Sequence, residues 1–539
     1  MASTWLDVLE EHARLTPQHI ALTLRSHQIT YAGFLELVQD TAVLLQEMGI
    51  EAGDRVALLA PARPEAMITF LACCKIGAIW VSLNPKYKEG EIEYVVNHAR
   101  PTLTLSVREF DGNDYTAPLQ RVNERLGDQA TTLVFFDGSD ATPSSMLQAI
   151  KDAVKRKGTA PADGSASRSA SSESRLLEQR GPDSPCMLVY TSGTTGKPKG
   201  VLLSQTASLF RAQVQARYFK TATPPTIVNF SAINHVGGMQ FRSAAILAAG
   251  GTIHFQERFK PAETLALIRE ARINMLMLGP TMLHMLMREP SFDVDVFKQL
   301  DWYISAGAAL PIGALKLIGE HCPNVATVYG ATETCATVSY ASLSDSFDAV
   351  AYSIGWPIPG GEMRVADDQE TPLAAGEEGE LQVRKQYCMN GYLNDPDATR
   401  EAFTGDGWFK TGDRAVMLAD GSFKIIGRIK EMFKSGGYNV YPREVEIMLE
   451  SHPALKMSAV VPVDDPLFQQ VGHAFVLLHE GCAETEADLI AWCKERLANY
   501  KVPKRIFIES ELPMLPIGKV DKVRLREIAA AAAKEPLAT

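Results

Sequence analysis

The sequence predicts a multidomain α/β protein. We expect two α/β sheet subdomains and a small β-rich subdomain in a large N-terminal part, followed by a smaller α+β C-terminal domain. The chain has 539 residues, whereas a single hydrophobic core stops growing at about 250–300 residues. Short apolar strands alternate with helical patterns, which is typical of largely parallel sheets covered by helices.

The first α/β region covers about residues 1–110. Segments 55–60 and 79–83 have the apolar, β-branched character of buried strands, and an apolar helical pattern lies between them. That helical pattern lies around residues 67–76, and the most apolar run of the chain, residues 66–81, is interrupted by Lys75 and Gly77 and falls short of the roughly 18 apolar residues that suggest a membrane span. We therefore expect a buried helix here and no transmembrane segment.

The second α/β region runs from about residue 185 to residue 340, and a β-rich stretch follows at 350–427. The stretch is rich in short strand patterns and Gly/Pro turns. Residues 159–175 are dominated by Ser and Ala and predict a flexible surface loop, because they cannot bury enough apolar surface to offset ordering. The strands predicted in the second region are 186–190, 226–230, 273–278 and 326–330.

About the last 110 residues form a pattern of their own. Segments 456–463 and 473–480 predict two strands, and 505–509 predicts a third. Between them a helix is expected to open at Thr485, because Asp488 three residues later completes a capping box. This is the predicted α+β C-terminal domain.

Composition excludes several classes of protein. The net charge of −11 argues against a nucleic-acid binder. The N-terminus is acidic and amphipathic, so no secretory signal is expected. The eight cysteines include no C-x-x-C pair, which predicts neither a zinc site nor a disulfide framework and fits a reducing cytoplasm.

A Gly- and Thr-rich segment at 190–200, YTSGTTGKPKG, predicts a phosphate-binding loop. It follows a predicted strand, and nine of its eleven residues are Gly, Ser, Thr or Lys. Glycines let backbone N–H groups approach phosphate oxygens, hydroxyls add donors, and lysines add charge. It is not a Walker loop, because Pro198 follows Lys197 where that motif requires Ser or Thr.

This segment resembles the phosphate loop of the adenylate-forming superfamily of acyl-CoA synthetases, adenylation domains and beetle luciferases. The resemblance extends from about residue 5 to about residue 527, with the family's motifs in their usual order. It implies a large domain over 1–427, a hinge at 428–430 and a small mobile lid domain over 431–539. It also implies ATP, Mg²⁺ and coenzyme A as the cofactor and substrates.

Further motifs carry the resemblance. Residues 329–333, YGATE, are similar to the motif whose threonine contacts the α-phosphate and whose glutamate helps hold Mg²⁺. Asp413 matches an aspartate that accepts both ribose hydroxyls, a role for which two acceptor oxygens are suited. Arg428 matches a ribose-contacting arginine. Taken alone, Asp413 would be a turn residue and Arg428 a member of a surface ion pair.

The resemblance also assigns the hinge and the small domain. Lys430 matches the hinge position, and Gly436 and Gly437 match a loop facing the pantetheine tunnel. Lys519, in LPIGK, matches the lysine that reaches the carboxylate and phosphate oxygens during adenylation. A flexible point charge is suited to bridging two anions, although an isolated lysine near a chain end would ordinarily be solvated.

The acyl pocket is expected around His235, in NHVGG, where relatives carry an aromatic residue or histidine. A core histidine is the alternative. No aspartate stands in 230–240 to pair an α-amine, so an amino-acid substrate is not expected. Ala306 replaces the first glycine of the family's Gly-Gly-Ala and narrows or reshapes the acyl slot. We expect an aliphatic, alicyclic or aryl monocarboxylate.

The predicted activity is that of an acid–thiol ligase, an AMP-forming acyl-CoA synthetase. Coenzyme A is the expected acceptor, because the chain ends 20 residues after Lys519 (539 − 519) and leaves no room for a tethered carrier domain. Transfer to a free-standing carrier protein, a luciferase-type oxidoreductase and a non-catalytic nucleotide sensor are the alternatives. A homodimer is left open.

The candidate site residues fall into five groups by expected role. The catalytic group is Lys519, Lys434, Thr332, Glu333 and His235, with Glu333 and Thr195 as Mg²⁺ ligands; the ATP-binding group is Thr191, Ser192, Gly193, Thr194, Thr195, Gly196, Lys197, Lys199, Tyr329, Gly330, Asp413 and Arg428; the hinge is Lys430; the coenzyme A group is Gly436, Gly437 and Tyr438; and the acyl pocket is His235, Gly238, Met239, Gln240, Ala306, Gly307 and Ala308.

Overall fold

The computed structural model describes residues 3–158, 181–191, 198–307, 310–515 and 520–532. Its largest sheet has seven strands, five of them parallel neighbours and two antiparallel at one edge. The two inner strands 55–59 and 79–83 are mostly apolar and are buried along nearly their whole length, as expected for a sheet covered on both faces. In sheet order the strands are Gly391–Tyr392, Lys199–Ser204, Pro185–Thr191, Ile79–Leu83, Arg55–Leu59, Leu103–Val107 and Thr132–Phe136.

Two further sheets complete the helix-covered part of the fold. One has five strands, of which the first three are parallel: Met275–Met277, Trp302–Ala306, Val325–Ala331, Ala336–Ser342 and Trp356–Pro357. The other has four strands, in the order Thr226–Asn229, Thr252–Phe255, Ile20–Leu24 and His27–Thr30.

The remaining sheets are mainly antiparallel. A four-stranded sheet forms the β-rich subdomain, with strands Met363–Ala366, Glu378–Arg384, Trp408–Met417 and Phe423–Arg428. The C-terminal sheet contains Tyr438–Val440, Phe433–Ser435, Gln469–Leu478 and Leu455–Asp465, and Arg505–Ile508 pairs in parallel with Gln469–Leu478. A two-stranded hairpin joins Glu109–Phe110 to Asn113–Asp114.

The helices cover both faces of the parallel sheets and also pack on both faces of the C-terminal sheet. Five begin with a proline, which fits the first turn because a backbone N–H there needs no intrahelical partner. The α-helices are Trp5–Leu15, Tyr31–Glu47, Pro64–Ile76, Glu89–Ala99, Thr116–Leu126, Ser144–Gly158, Gln205–Tyr218, Ala245–Ala248, Pro261–Glu270, Pro280–Met287, Ile312–Gly319, Phe347–Tyr352, Pro396–Glu401, Pro442–Glu450, Glu486–Arg496 and Lys522–Ala532; Gly127–Gln129, Val294–Gln299 and Ile429–Glu431 are 3₁₀-helices, and Gly237–Ala244 is a π-helix.

The predicted fold class is confirmed, and every strand named above from the sequence is present within a few residues of its predicted bounds. The capping box of Thr485 and Asp488 is also present. One prediction, about the sheet to which a strand belongs, is wrong. The strand predicted at 186–190, observed as Pro185–Thr191, does not belong to the second region but pairs with Ile79–Leu83 in the first sheet. Strand Lys199–Ser204, which the sequence pattern did not predict, lies beside it in the same sheet. The loop predicted at 159–175 lies outside the described residues.

The parallel strands place their carboxyl ends along shared edges. Met277, Ala306 and Ala331 end the three parallel strands of the five-stranded sheet, and Thr191 ends a strand of the seven-stranded one. In open α/β sheets this edge is where ligands bind. Within the described parts of the chain, no helix is long and apolar enough to cross a membrane.

Candidate active site

The predicted phosphate loop is carried by two antiparallel strands. Thr191, which ends the first strand, pairs with Lys199, which begins the second. The hydroxyl of Tyr94 donates to the carbonyl of Pro198 at 2.8 Å and fixes the second stem. Six members of the predicted ATP-binding group, residues 192–197, lie outside the described residues. The structure therefore positions the two ends of the loop.

Tyr392 links this loop to the predicted Mg²⁺ ligand. Its hydroxyl donates to Glu333 Oε1 at 3.0 Å, and the ammonium of Lys199 lies 4.6 Å from the centre of its ring. Burial, and then the neighbouring Glu333 carboxylate, raise the pKa of Tyr392, so the phenol keeps its proton. Sequence reasoning missed Tyr392, since a tyrosine after a glycine in a β-rich stretch carries no distinguishing signal.

The turn that holds Thr332 and Glu333 is strained. Cys335 and Ala336 both have positive φ, 56° and 85°, which non-glycine residues seldom adopt. The strain persists because Thr334 Oγ1 donates to the carbonyl of Ala336 and accepts from the N–H of Ala331. Such strain is found where the surrounding structure dictates the backbone, commonly at functional sites.

Gly330 is required by the same turn. A Cβ at this position would lie 1.8 Å from the carbonyl oxygen of Ala336, on the neighbouring strand. No side chain can be accommodated at that distance. The glycine of the predicted YGATE motif is therefore explained by a close approach of two backbones.

Three predicted ATP-binding residues form one cluster around Asp413, which is 4% exposed. Tyr329 donates its hydroxyl to Asp413 Oδ2, and Arg428 Nε lies 2.8 Å from Asp413 Oδ1. Burial and the carboxylate together raise the pKa of Tyr329, which keeps the phenol a donor. Tyr329 and Asp413 are 84 residues apart in the chain, and the fold brings them together as the motifs predict.

His235 is exposed and is not a core histidine. It lies in a tight turn in which the N–H of Gly237 donates to His235 Nδ1 at 3.0 Å. The π-helix Gly237–Ala244 follows directly, and π-helical turns occur frequently at functional sites. Gly238 is buried, and a Cβ there would lie 2.5 Å from the carbonyl oxygen of Ala232. Gly238 is thus needed for the shape of the turn.

Two predicted pocket residues are placed in the core instead. Met239 is 0% and Gln240 is 1% exposed. The Gln240 amide accepts from Ser208 Oγ at 2.6 Å and donates to the Ser208 carbonyl at 2.5 Å. The Gln240 side chain therefore joins the π-helix to helix Gln205–Tyr218, whereas Met239 is buried in the core. The geometry does not support the prediction of either residue as part of the acyl pocket.

Ala306 and Gly307 lie at the carboxyl end of their strand, next to the end of Met275–Met277. Ala306 is partly buried and Gly307 is exposed. Gly307 has φ +88°, a conformation that favours glycine, and no atom of the described residues lies within 4 Å of the position that its Cβ would take. Ala308 lies outside the described residues.

The predicted coenzyme A loop is a tight hairpin of the small domain. Gly436 and Gly437 both have positive φ, 57° and 86°, the pattern of a two-residue type I′ turn that glycines favour. Tyr438 is 61% exposed and stacks on Tyr500 with ring centres 4.6 Å apart. Lys434 is exposed beside them. Within the described residues, no hydrogen bond or ion pair joins the 433–440 hairpin to the large domain.

The hinge region is tied to the C-terminal helix. Lys430 is exposed in a 3₁₀-turn, and Glu431 beside it pairs with Lys522 at 3.0 Å. Lys522 also pairs with Glu446 at 2.8 Å. Lys519 lies outside the described residues. Met514 and Val520, which flank it in the chain, pair with each other in an isolated antiparallel β-bridge.

Metal-binding capacity near the phosphate loop rests on Glu333. Within the described residues, no group of three or more His, Cys, Asp or Glu side chains is arranged to hold a metal ion. A single carboxylate nevertheless fits Mg²⁺ in a nucleotide site, since this ion keeps several waters and is held mostly by substrate phosphates.

Comparison with known proteins places this geometry in a family. Residues 9–393 match the family model described as AMP-binding enzyme, and residues 444–519 match the AMP-binding enzyme C-terminal domain. Indoleacetate–CoA ligase of Aromatoleum aromaticum is 30% identical over 529 residues, which cover 98% of each protein. Feruloyl-CoA synthase of an Amycolatopsis species is 28% identical over 520 residues, covering 95% of this chain and 96% of that protein.

Solved structures agree. ATP-bound MatB from Rhodopseudomonas palustris matches with a TM-score of 0.82 and 26% identity, over 98% of this chain and 100% of that chain. The o-succinylbenzoate CoA synthetase MenE from Bacillus subtilis, in complex with its acyl-adenylate intermediate, matches with a TM-score of 0.78 and 25% identity, over 97% and 98% of the two chains. This chain therefore belongs to the AMP-binding enzyme family.

Proposed function

We propose that this protein activates a carboxylic acid with ATP, forming an acyl-adenylate, and then transfers the acyl group to coenzyme A. The observation that carries the proposal is the Asp413 cluster, in which Tyr329 and Arg428 hold one buried carboxylate. A carboxylate has two acceptor oxygens and no competing donor, which suits this one, held in place by its neighbours, to binding the ribose hydroxyls of ATP.

In the first half-reaction, an oxygen of the substrate carboxylate attacks the α-phosphorus of ATP, and pyrophosphate leaves. Two anions must approach each other, so fixed donors and positive charge provide most of the catalysis. We assign this role to the 191–199 loop, Thr332 and Lys519. Mg²⁺ bound to the phosphates and to Glu333 would neutralise developing charge.

In the second half-reaction, the thiol of coenzyme A attacks the activated carbonyl, its proton passes to solvent, and AMP leaves. We propose that the small domain rotates about Lys430, which withdraws Lys519 and presents Gly436 and Gly437. Within the described residues, the 433–440 hairpin makes no hydrogen bond or ion pair with the large domain, which is compatible with such a movement. Lys434 and Tyr438 would then contact the incoming thiol substrate.

The names of the relatives support coenzyme A over a carrier protein as the acceptor, since both relatives described above are named as CoA ligases or synthases. The same names support, as the substrate, an organic acid that is aromatic or of comparable size. Mg²⁺, a cytoplasmic location and a homodimer stay predictions.

The test is carboxylate-dependent exchange of pyrophosphate into ATP, over fatty, alicyclic, benzoic and cinnamic acids. Exchange with one group of acids would support adenylation. Thioester and AMP formation with coenzyme A, but not with a phosphopantetheinylated carrier protein and without oxygen uptake, would support the ligase over its alternatives. Absence of exchange with every acid, in folded protein that binds ATP, would refute the proposal.

A further inference from the structure

Arg242 carries a buried charge that has no counter-ion in the described part of the chain. The residue lies in the π-helix and is 7% exposed. Its Nη2 donates to the Met277 carbonyl at 2.5 Å and its Nη1 to the Gly237 carbonyl at 3.2 Å. Its Nε is buried, and no described residue offers it a hydrogen-bond partner. The guanidinium therefore keeps donor capacity that these contacts do not use.

A comparison with Arg63 shows how this protein otherwise treats a buried arginine. Arg63 is 0% exposed and pairs with Glu65 at 2.9 Å and with Glu257 at 2.8 Å. Arg242 is surrounded instead by carbonyls and by the rings of Phe230 and Phe241, about 6 Å away. Burial lowers the pKa of Arg242 to about 10, so the group is still protonated at neutral pH. An unpaired buried charge is costly and favours any arriving anion or acceptor oxygen.

The guanidinium lies against the predicted acyl pocket. A Cβ on Gly237 would sit 3.0 Å from His235 Nδ1 and 3.9 Å from Arg242 Nη1, so the arginine lies directly behind the His235 turn. Its other partner, Met277, ends a strand that pairs with the strand ending at Ala306. Arg242 therefore occupies the carboxyl edge of the parallel strands, where ligands bind in sheets of this kind.

A second unpaired polar atom lies in the same segment. Asn234 is 6% exposed, and its buried Oδ1 has no hydrogen-bond partner in the part of the chain that the structure describes. Native proteins leave few buried polar atoms unpaired. Two such atoms within residues 234–242, on either side of His235, indicate that this wall of the site is built for a polar group and not only for an apolar tail.

We propose that Arg242 determines the specificity of the enzyme by binding an acceptor oxygen on the tail of the acid, distal to the carboxylate that reacts. The preferred substrate then carries a second carboxylate or a ketone, instead of being the plain monocarboxylate expected from the sequence. The planar fork of donors in a guanidinium matches both groups, and a carboxylate best. This inference rests on the proposed function and narrows its substrate class.

The test compares acids of matched chain length in the pyrophosphate-exchange assay. Each plain monocarboxylate is paired with the acid that has a terminal carboxylate and with the acid that has an oxo group near its end. The oxygen-bearing member of one pair should be used with about tenfold higher kcat/KM or more, as expected for a charge-assisted hydrogen bond in a buried pocket. A preference for the second carboxylate or for the ketone identifies the source of the oxygen.

Variants of Arg242 test the assignment of that preference. Arg242→Met should bring the ratio of kcat/KM within the pair close to one, and Arg242→Lys should retain part of it for a second carboxylate. Arg121→Met is the matched control, since it removes the same charge from an exposed ion pair on another helix and should leave the ratio unchanged. If Arg242→Met does not fold, the wild-type ratio and Arg242→Lys still test the inference.

Two results would overturn the inference alone. In the first, the wild type has the same kcat/KM for each plain acid and for its oxygen-bearing partners. In the second, Arg242→Met lowers kcat/KM equally for both members of every pair, which would indicate a purely structural role. Exchange with no acid at all would instead refute the proposed function, and this inference with it.

Discussion

Replacing Tyr392 with phenylalanine tests the proposed role of Glu333 as the Mg²⁺ ligand without changing Glu333 itself. The substitution removes the hydroxyl that donates to Glu333 Oε1 at 3.0 Å and keeps the ring beneath the Lys199 ammonium. The Glu333 carboxylate would lose a fixed donor and become free to turn. Because Glu333 is the proposed Mg²⁺ ligand, the substitution should affect Mg²⁺-dependent adenylation.

The expected magnitude follows from the environment of the bond. A hydrogen bond to a charged group contributes about 1.5–3 kcal/mol. Glu333 is only half-buried, so water can replace the lost hydroxyl in part, and we take the low end of this range. A loss of about 1.5 kcal/mol in the transition state corresponds to a rate about tenfold lower. The Mg²⁺ concentration for half-maximal activity should rise as well, because the ligand is less well positioned.

The assay is pyrophosphate exchange at saturating acid, with Mg²⁺ varied. Tyr31→Phe is the matched control, because it removes a buried tyrosine hydroxyl that donates to the Gly251 carbonyl at 2.8 Å, and neither of these residues has an assigned role in the site. The control should lower the melting temperature and leave the Mg²⁺ dependence unchanged. A Tyr392→Phe enzyme with the wild-type rate and wild-type Mg²⁺ dependence would refute the reasoning.

Three further substitutions test other parts of the site. Asp413→Asn should raise the KM for ATP by about tenfold or more in the same exchange assay. The reason is that one acceptor oxygen becomes a donor that faces Arg428 Nε or a hydroxyl. An unchanged KM would contradict the assignment of Asp413 to the ribose. Lys519→Ala should abolish exchange and spare thioester formation from supplied acyl-adenylate, and equal loss in both half-reactions would exclude the assigned role. Gly330→Ala should lower the melting temperature strongly or prevent folding, since its Cβ would lie 1.8 Å from the Ala336 oxygen. A folded variant with the wild-type melting temperature would show that strands Val325–Ala331 and Ala336–Ser342 can move apart at this point.

The fold class and most strands could be predicted because each depends on local pattern. Segment 326–330, for example, is apolar and β-branched, and it forms most of strand Val325–Ala331. The pairing of strands could not be predicted in the same way. Strand Pro185–Thr191 joins Ile79–Leu83 across about a hundred residues of chain, and nothing in its own composition distinguishes that partner from Thr226–Asn229, which lies nearer in sequence.

In the candidate site, too, residues in local motifs could be predicted, and residues that depend on long-range contacts could not. Tyr329, Asp413 and Arg428 were predicted because they stand in extended motifs, and the structure joins them. Tyr392 was missed because its importance comes from two long-range contacts and not from its neighbours in sequence. Gln240 was assigned to the pocket by its position near His235, whereas the wider π-helical turn and its bonds to Ser208 place it in the core.

Lys522 connects the two parts of the proposed mechanism. Its ammonium pairs with Glu431, beside the hinge residue Lys430, and with Glu446 in the helix Pro442–Glu450 of the small domain. Lys522 is 3 positions after Lys519 (522 − 519), so the base of the Lys519 segment is fixed to the hinge and to the small domain at once. A rotation about Lys430 that preserved the pair with Glu446 would carry the Lys519 segment with the small domain. Withdrawal of the lysine and arrival of the 433–440 hairpin would then be one movement, which explains how a single hinge could alternate between two half-reactions.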